Sequence, residues 1–428
     1  MKKSVAAIGL LGLALASSVF AVEGKTPEGI SHLDHVFVIM MENSSYTQIM
    51  NNPNAPFINQ LAKSANLATN YFAIGHPSST NYLEVVGGSN FGDRSDRYPN
   101  WHSTVACTPN LATGLVTYDT LPPSATNASI ASVCPISGFG TDAATPSTDN
   151  FNETSGGLVL NNIDGIKSIP ASINIDGISI ANQLVATGRN WKSYQEGLPM
   201  IGADNVNVSD GYFTNLTDFT AMTPTLTPPL TSAGIVYLYA VKHNPFAYFQ
   251  DVQEGKNPEL SLANIVGFDG TNGLYADLAT GNVPTFSFIA PNQCNDMHGR
   301  GNSTPFCNYN PLSNGLQSGM NPALVQQGDQ TVEKLVTSIK SSSVWKEGKT
   351  AIVVLWDEND YSAQPNVNQV VTIVDTNFGV HGKQSANYYN HFSLLKTIEA
   401  GLDLPCLNHA CDEDVKVMSD LFGSRSHD

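Results

Sequence analysis

Glu42 and Asn43 stand directly after an apolar run, residues 36–41, VFVIMM. Asp357 and Glu358 stand in the same way after residues 351–356, AIVVLW. A third such run, residues 283–291, VPTFSFIAP, leads into Asn295-Asp296-Met297-His298. Carboxylates brought together repel one another unless a cation lies between them. An oxygen-rich donor set suits a hard divalent ion. Between these points lies Ser78, in the stretch Gly75-His76-Pro77-Ser78-Ser79-Thr80-Asn81 ahead of a helical segment. A serine hydroxyl beside a helix N-terminus suits nucleophilic attack on an anionic ester, because backbone N–H groups there welcome negative charge. A metal against the hydroxyl would stabilise the alkoxide without a His base. The plainer role for Ser78 is an N-cap. Asn81 would be a neutral donor to an oxyanion, or a turn residue. His243 and His298 could donate to phosphoryl oxygens or protonate a leaving group, and their loop settings make both reachable.

The elements that must position these groups are strands buried on both faces. Residues 36–41 are β-branched at Val36, Val38 and Ile39 and aromatic at Phe37. Such unbroken runs mark the centre of an α/β sheet, where ligands gather at the carboxyl ends of the strands. Residues 283–291 and 351–356 are two more strands of this kind, residues 191–194 a shorter one ending in Gln195-Glu196, and residues 370–374 a further one. Helical spacing of apolar residues predicts helices over 54–68, 83–88, within 173–188 and over 329–343. A last helix starts near Asn390-His391. Alternating strands and helices imply an α/β fold with a central, largely parallel sheet sandwiched by helices. Residues 100–173 and 204–232 are rich in Ser, Thr, Asn, Gly and Pro and are expected to be loop-rich insertions into one domain spanning 22–428.

In their order, these motifs resemble a known family. Glu42-Asn43, His76-Pro77-Ser78 with Asn81-Tyr82, His243-Asn244-Pro245-Phe246, Asn295-Asp296-Met297-His298, Trp356-Asp357-Glu358 and His391-Phe392-Ser393-Leu394-Leu395 look like the bacterial phosphoesterase family. That family joins secreted acid phosphatases to phospholipases C within the alkaline phosphatase superfamily. The resemblance implies an alkaline phosphatase-like fold, a Ser78 nucleophile and a phosphoseryl intermediate. It implies a divalent metal, of identity left open, on Glu42, Asn43, Ser78, Asp357 and Glu358. Asn81, His243 and His298 would hold the phosphoryl oxygens. Asp296 is assigned the orientation of His298, and His391 the capping of its helix. One departure stands out: the family's Ser-x-Pro-Asn carries Thr80 in place of the Pro, which removes a fixed φ and makes Ser79 a rival nucleophile.

Composition narrows the setting. Lys2 and Lys3 precede a short apolar segment, residues 5–15, and Val19-Phe20-Ala21 offers small residues at a cleavage point. Residues 1–21 are therefore expected to be a signal peptide, which makes the mature protein secreted or periplasmic. The net charge of −17 becomes about −19 without the two lysines. Such charge repels nucleic acid and anionic membranes, and no later segment is apolar enough to be inserted in one. A small phosphate ester is still admissible, because a bound cation inverts the local field. Six cysteines in an oxidising compartment suggest disulfides, most simply Cys107–Cys134, Cys294–Cys307 and Cys406–Cys411.

The leading expectation is a metal-dependent acid phosphatase acting on soluble monoesters. Its rivals are a phospholipase C of the same fold and a secreted binding protein without catalysis. A serine carboxylesterase would need a Gly-x-Ser-x-Gly elbow, which Ser78 lacks.

Overall fold

The computed structural model describes residues 23–76, 78–91, 175, 177–198, 239–299, 321–360 and 367–423, with the backbone of 154–155 and 158–159. Residues 1–21, expected to be a signal peptide, and most of the two Ser/Thr-rich stretches expected to be insertions lie outside these residues. So do Cys107, Cys134 and Cys307. Cys406 and Cys411 form a disulfide, and Cys294 is also disulfide-bonded.

In chain order the strands are β1 (His35–Met41), β2 (Asn66–Ala68), β3 (Tyr71–Phe72), β4 (Thr154–Ser155), β5 (Leu158–Val159), β6 (Trp191–Gln195), β7 (Ile265–Val266), β8 (Phe286–Ala290), β9 (Thr350–Trp356), β10 (Thr372–Thr376), β11 (Gln384–Ser385) and β12 (Tyr389–Asn390). Eight of them form one sheet in the order β11-β2-β10-β9-β1-β8-β6-β7. The central ladder β9-β1-β8-β6-β7 is parallel throughout. Its inner strands are sealed on both faces, as their unbroken apolar runs require: Val36 to Met41 and Phe286 to Ala290 are buried. Each such large side chain removed from water contributes roughly 1.5–3 kcal/mol. The sheet therefore holds its strand ends in a fixed lateral order. Strand β10 departs from the parallel expectation. It runs antiparallel to β9 and begins at Thr372, two residues after the predicted start.

The helices are set by caps. α1 (Tyr46–Ile49) starts from a capping box between Ser45 and Gln48. α2 (Pro56–Ser64) has Pro at its start but no side-chain cap from Ala55. Asp329, on the helix Pro322–Ser341, supplies one from outside, accepting from Phe57 N at 3.1 Å and Ile58 N at 2.8 Å. The helix predicted over 54–68 thus stops at Ser64. Asn66, Leu67 and Ala68, which continue the helical spacing, are taken into β2 by pairing with β10. α3 (Ser78–Gly87) begins at Ser78 rather than near residue 83. α4 (Ile180–Ala186) is capped by Ser179. The helix Pro322–Ser341 begins before the predicted residue 329, from an Asn321 cap. In the last long helix, His391–Gly401, Asn390 and Ser393 form the capping box. That helix packs against α3. No described helix is long and apolar enough to cross a membrane.

Candidate active site

Four neighbouring parallel strands end at one edge of the sheet. Glu42 follows β1, Asp357 follows β9, the loop 292–299 follows β8 and Glu196 follows β6. The main chain is stitched across these ends: Asp357 N donates to Met41 O at 2.9 Å, and Glu42 N donates to Asp296 O at 2.9 Å. Asn43 turns the chain with φ of +45°, a conformation Asn tolerates better than most residues. In that turn its N–H donates to Asp357 Oδ1 at 3.1 Å and its amide to Glu42 Oε2 at 2.8 Å.

Ser78 opens α3 and is buried. Its hydroxyl donates to Glu42 Oε2 at 3.0 Å, and Glu358 Oε1 lies 3.5 Å away. A ten-residue helix thus starts at the hydroxyl, with its first-turn N–H groups and positive dipole end beside it. Thr80 sits in that first turn, so the missing Pro does not prevent the helix from forming. Asn81 lies one turn on. Its amide nitrogen donates to Glu358 Oε2 at 3.0 Å and to Gly75 O at 2.9 Å, while its oxygen accepts from Ile74 N and Gly75 N. Asn81 therefore fastens Glu358 to the loop that precedes Ser78.

His243 is buried, contrary to the reachable position expected of it. It lies in a 3-10 turn, Val241–His243, and stacks on Tyr82 with ring centroids 5.1 Å apart. Both ring nitrogens face carboxylates, Nε2 at 3.0 Å from Glu42 Oε1 and Nδ1 at 3.3 Å from Asp296 Oδ2, without the alignment of hydrogen bonds. Asp296 Oδ1 accepts from the backbone N–H of His298 at 2.7 Å. Asp296 therefore orients the His298 main chain and faces the His243 ring. Met297, between Asp296 and His298, has φ of +84°, a strained value for a side chain of that size. A Cβ on Gly328 of the long helix would lie 2.4 Å from Met297 Cγ, so only glycine leaves room for that side chain. His391 is not the cap of its helix, since Asn390 is. Its ring instead bridges the Asp357 carbonyl, at 2.7 Å, and the Tyr71 hydroxyl, at 3.1 Å.

Two residues in the cluster were given no role from the sequence. Buried His76 joins Glu358 Oε2, at 2.9 Å from Nδ1, to Asn359 Oδ1, at 3.2 Å from Nε2. Lys242 is buried beside His243, and its Nζ is 3.2 Å from His298 Nε2. The adjacent Lys-His pair was visible. The burial of the lysine was not, because the carboxylates that balance it come from distant segments.

The electrostatics follow from packing acids out of water. Burial pushes the Glu42 carboxyl well above the usual range, with Asp357 adding to the rise. Burial and then Glu358 raise Asp357, and burial and then Glu42 raise Asp296. Burial holds His243 well below its ordinary value, with Lys242 and His298 next in effect. It brings His391 down to about 4. Among the described residues no three His, Cys, Asp or Glu side chains form the close ring of a metal centre. The donor chemistry nonetheless fits a hard cation. Glu42 Oε1 and Asp357 Oδ2 are buried oxygens without a hydrogen-bond partner, and such bare carboxylate oxygens are costly unless a cation meets them.

A model of the Phosphoesterase family matches residues 50–306, more than half of the chain. Glu42, Asn43, Asp357 and Glu358 lie outside that match and join the site through the sheet. A phosphatidylinositol-3-phosphatase of Mycobacterium tuberculosis is 23% identical, over 98% of this chain and 94% of its own length. A probable acid phosphatase of Kluyveromyces lactis is 21% identical over 89% of this chain, and an acid phosphatase of Aspergillus fumigatus is 20% identical over 92%. The chain spans only 61% of each of these two fungal relatives. A solved structure from Vibrio parahaemolyticus, described as a protein in the alkaline phosphatase superfamily, superposes with a TM-score of 0.41 at 11% identity, over 92% of this chain and 72% of that one.

Proposed function

Because the chain belongs to the Phosphoesterase family, we propose that it is an acid phosphatase that hydrolyses phosphate monoesters through a covalent phosphoserine at Ser78. The observation that carries this reading is the Ser78 hydroxyl, at the start of α3 and donating to Glu42 Oε2 at 3.0 Å. That hydrogen bond fixes the Oγ lone pairs and gives the departing proton an acceptor. It favours Ser78 over Ser79 as the nucleophile. The first-turn N–H groups of α3 favour the anionic phosphoryl group in line with it. Asn81 holds Glu358, and His76 holds it from the other side. A divalent cation, held by Glu42, Asn43, Ser78, Asp357 and Glu358, would neutralise the clustered acids and lower the proton affinity of the seryl oxygen. His243 sits between Glu42 and Asp296, with Nε2 3.0 Å from Glu42 Oε1. The names of the relatives, two acid phosphatases and one phosphatidylinositol-3-phosphatase, support monoester chemistry. Residues 1–21 support export, and acidic surroundings suit carboxyls raised by burial.

The test is hydrolysis of p-nitrophenyl phosphate against p-nitrophenyl phosphorylcholine, at acidic and neutral pH, with and without chelator. Chelator-sensitive cleavage of the monoester is expected, fastest at acidic pH. Preference for the phosphorylcholine ester would make the protein a phospholipase C instead.

A further inference from the structure

Two helices begin at the site, and one small loop holds both of them near their far ends. α3 starts at Ser78 and ends at Gly87. The helix His391–Gly401 starts at His391, whose ring meets the Asp357 carbonyl at 2.7 Å, and it packs against α3. The loop is residues 406–411, closed by the Cys406–Cys411 disulfide. A helix leaves its last carbonyls without partners of its own. At the end of α3 the loop supplies donors to that region: Asn408 Nδ2 donates to Gly87 O at 2.8 Å, and His409 N donates to Gly88 O at 3.0 Å. From the other helix, Glu399 Oε1 accepts from Leu407 N at 2.9 Å, and Lys396 Nζ donates to Asp412 O at 2.8 Å. The loop is gripped on a third side by the segment before β1, where Gly24 N donates to Cys406 O at 2.9 Å and Cys406 N to Lys25 O at 3.3 Å.

The junction with α3 has no slack. Gly88 has φ of +70°, and a Cβ there would lie 2.3 Å from Leu407 O. Asn408 is left-handed as well, with φ of +45°, inside the ring that the disulfide closes. α3 has ten residues, so it is a stiff rod of about 15 Å from the loop to the seryl hydroxyl. A shift at Gly87 is carried along it to Ser78.

We infer that the disulfide loop 406–411 positions the nucleophile: by holding the far end of α3 it sets where the Ser78 hydroxyl stands against Glu42, and Asn408 is its positioning residue. The inference rests on the phosphatase reading above, in which Ser78 attacks. A misplacement of about 1 Å caused far from the chemistry can cost up to about 10²-fold in rate. Glu42 and Asp357 are fixed by the ends of β1 and β9 and not by the loop. The effect therefore falls on attack rather than on the carboxylates that would seat a cation.

The experiment compares the metal-loaded wild-type protein with Asn408→Asp and with the double variant Cys406→Ala/Cys411→Ala. The readouts are kcat and KM for p-nitrophenyl phosphate well below each melting temperature, the pH profile of kcat, and metal content by elemental analysis. Both variants should lose about tenfold in kcat while KM stays within about twofold and metal content is unchanged. Asn408→Asp keeps the shape of the side chain but, when ionised, has no hydrogen for Gly87 O. Its deficit should shrink as the pH falls toward the ordinary carboxylate range near pH 4, because the protonated carboxyl donates again. A deficit of the same size at every pH overturns the role of Asn408. Variants that melt earlier yet keep the wild-type kcat below their melting temperature show a loop that only stabilises, and overturn the inference alone. Loss of metal in step with kcat overturns it too. If the double variant does not fold, Asn408→Asp decides. A folded, metal-loaded wild type without phosphatase activity overturns the phosphatase reading and this inference with it.

Discussion

Strands β1 and β9 lie side by side from His35↔Thr350 to Met41↔Trp356, and their two ends treat acidic side chains in opposite ways. At the start of the ladder Asp34 is about half exposed, and its Oδ2 accepts from Lys349 N at 2.7 Å. Its charge stays in water while one oxygen ties the two strands together. At the far end Glu42 and Asp357 are wholly buried, each with an oxygen that has no hydrogen-bond partner. The ladder is the same and so is the chemical group. The first carboxylate serves the fold at little electrostatic cost, and the other two oppose it. Buried acids kept against stability are a mark of a working site.

The largest break in that comparison is Ser78→Ala. It removes the hydroxyl that donates to Glu42 Oε2 and should reduce kcat/KM for p-nitrophenyl phosphate by about 10⁴-fold or more. Circular dichroism and melting should be unchanged. Retention of a tenth of the activity would move the nucleophile to Ser79 or end the covalent mechanism.

Asp357→Asn should come next. The amide keeps an oxygen for Asn43 N–H but drops the charge. Bound divalent metal, measured by elemental analysis, and turnover should both fall by on the order of 10²-fold, while the chelated protein becomes more stable at neutral pH. Full metal content at full rate would remove Asp357 from the ligand set.

The third test uses pH. Glu42, Asp296 and Asp357 all bind a proton more tightly folded than unfolded. Their stabilising contribution is complete below the ordinary carboxylate range, near pH 4, and is lost as pH rises through the raised values. Glu399, buried near the Cys406–Cys411 loop and accepting from Leu407 N at 2.9 Å, is raised by burial too and adds the same sign. The chelated protein should therefore melt several °C higher near pH 5 than near pH 7, and restored metal should flatten that slope. Glu399→Gln should remove only its own share, with no change in metal response. A chelated protein most stable at neutral pH would contradict the buried-acid account.

The smallest effect belongs to the other end of the ladder. Asp34→Ala loses one hydrogen bond, costs about 1 kcal/mol in denaturant unfolding, and should leave kcat/KM untouched.

The same contrast explains what the sequence made legible. Glu42-Asn43 and Asp357-Glu358 could be placed because each follows a strand too apolar to be anything but central. The parallel order of the sheet then forces their meeting. The start of the last helix near Asn390-His391 could be placed, but its cap is Asn390 and not His391. Asn66 to Ala68 could not, since only the β10 partner turns that helical spacing into a strand. The antiparallel sense of β10 is likewise a fact of pairing. The depth of Lys242 and His243 depends on acids dozens of residues away in the chain, and the bridge from His76 to Asn359 joins positions 283 residues apart. Burial and long-range partners decide what such residues do, and neither is written in their immediate neighbours.

Gly328 has a consequence for anyone seeking a hardier variant. Replacing an interior helical glycine with alanine ordinarily gains up to about 1 kcal/mol, and this glycine sits within the helix Pro322–Ser341. Here the added methyl would strike Met297 and press on the turn that joins Asp296 to His298. A substitution chosen for heat tolerance would be felt as a loss of turnover, in a residue that touches no substrate. Thermostabilising libraries should leave this helix position as it is.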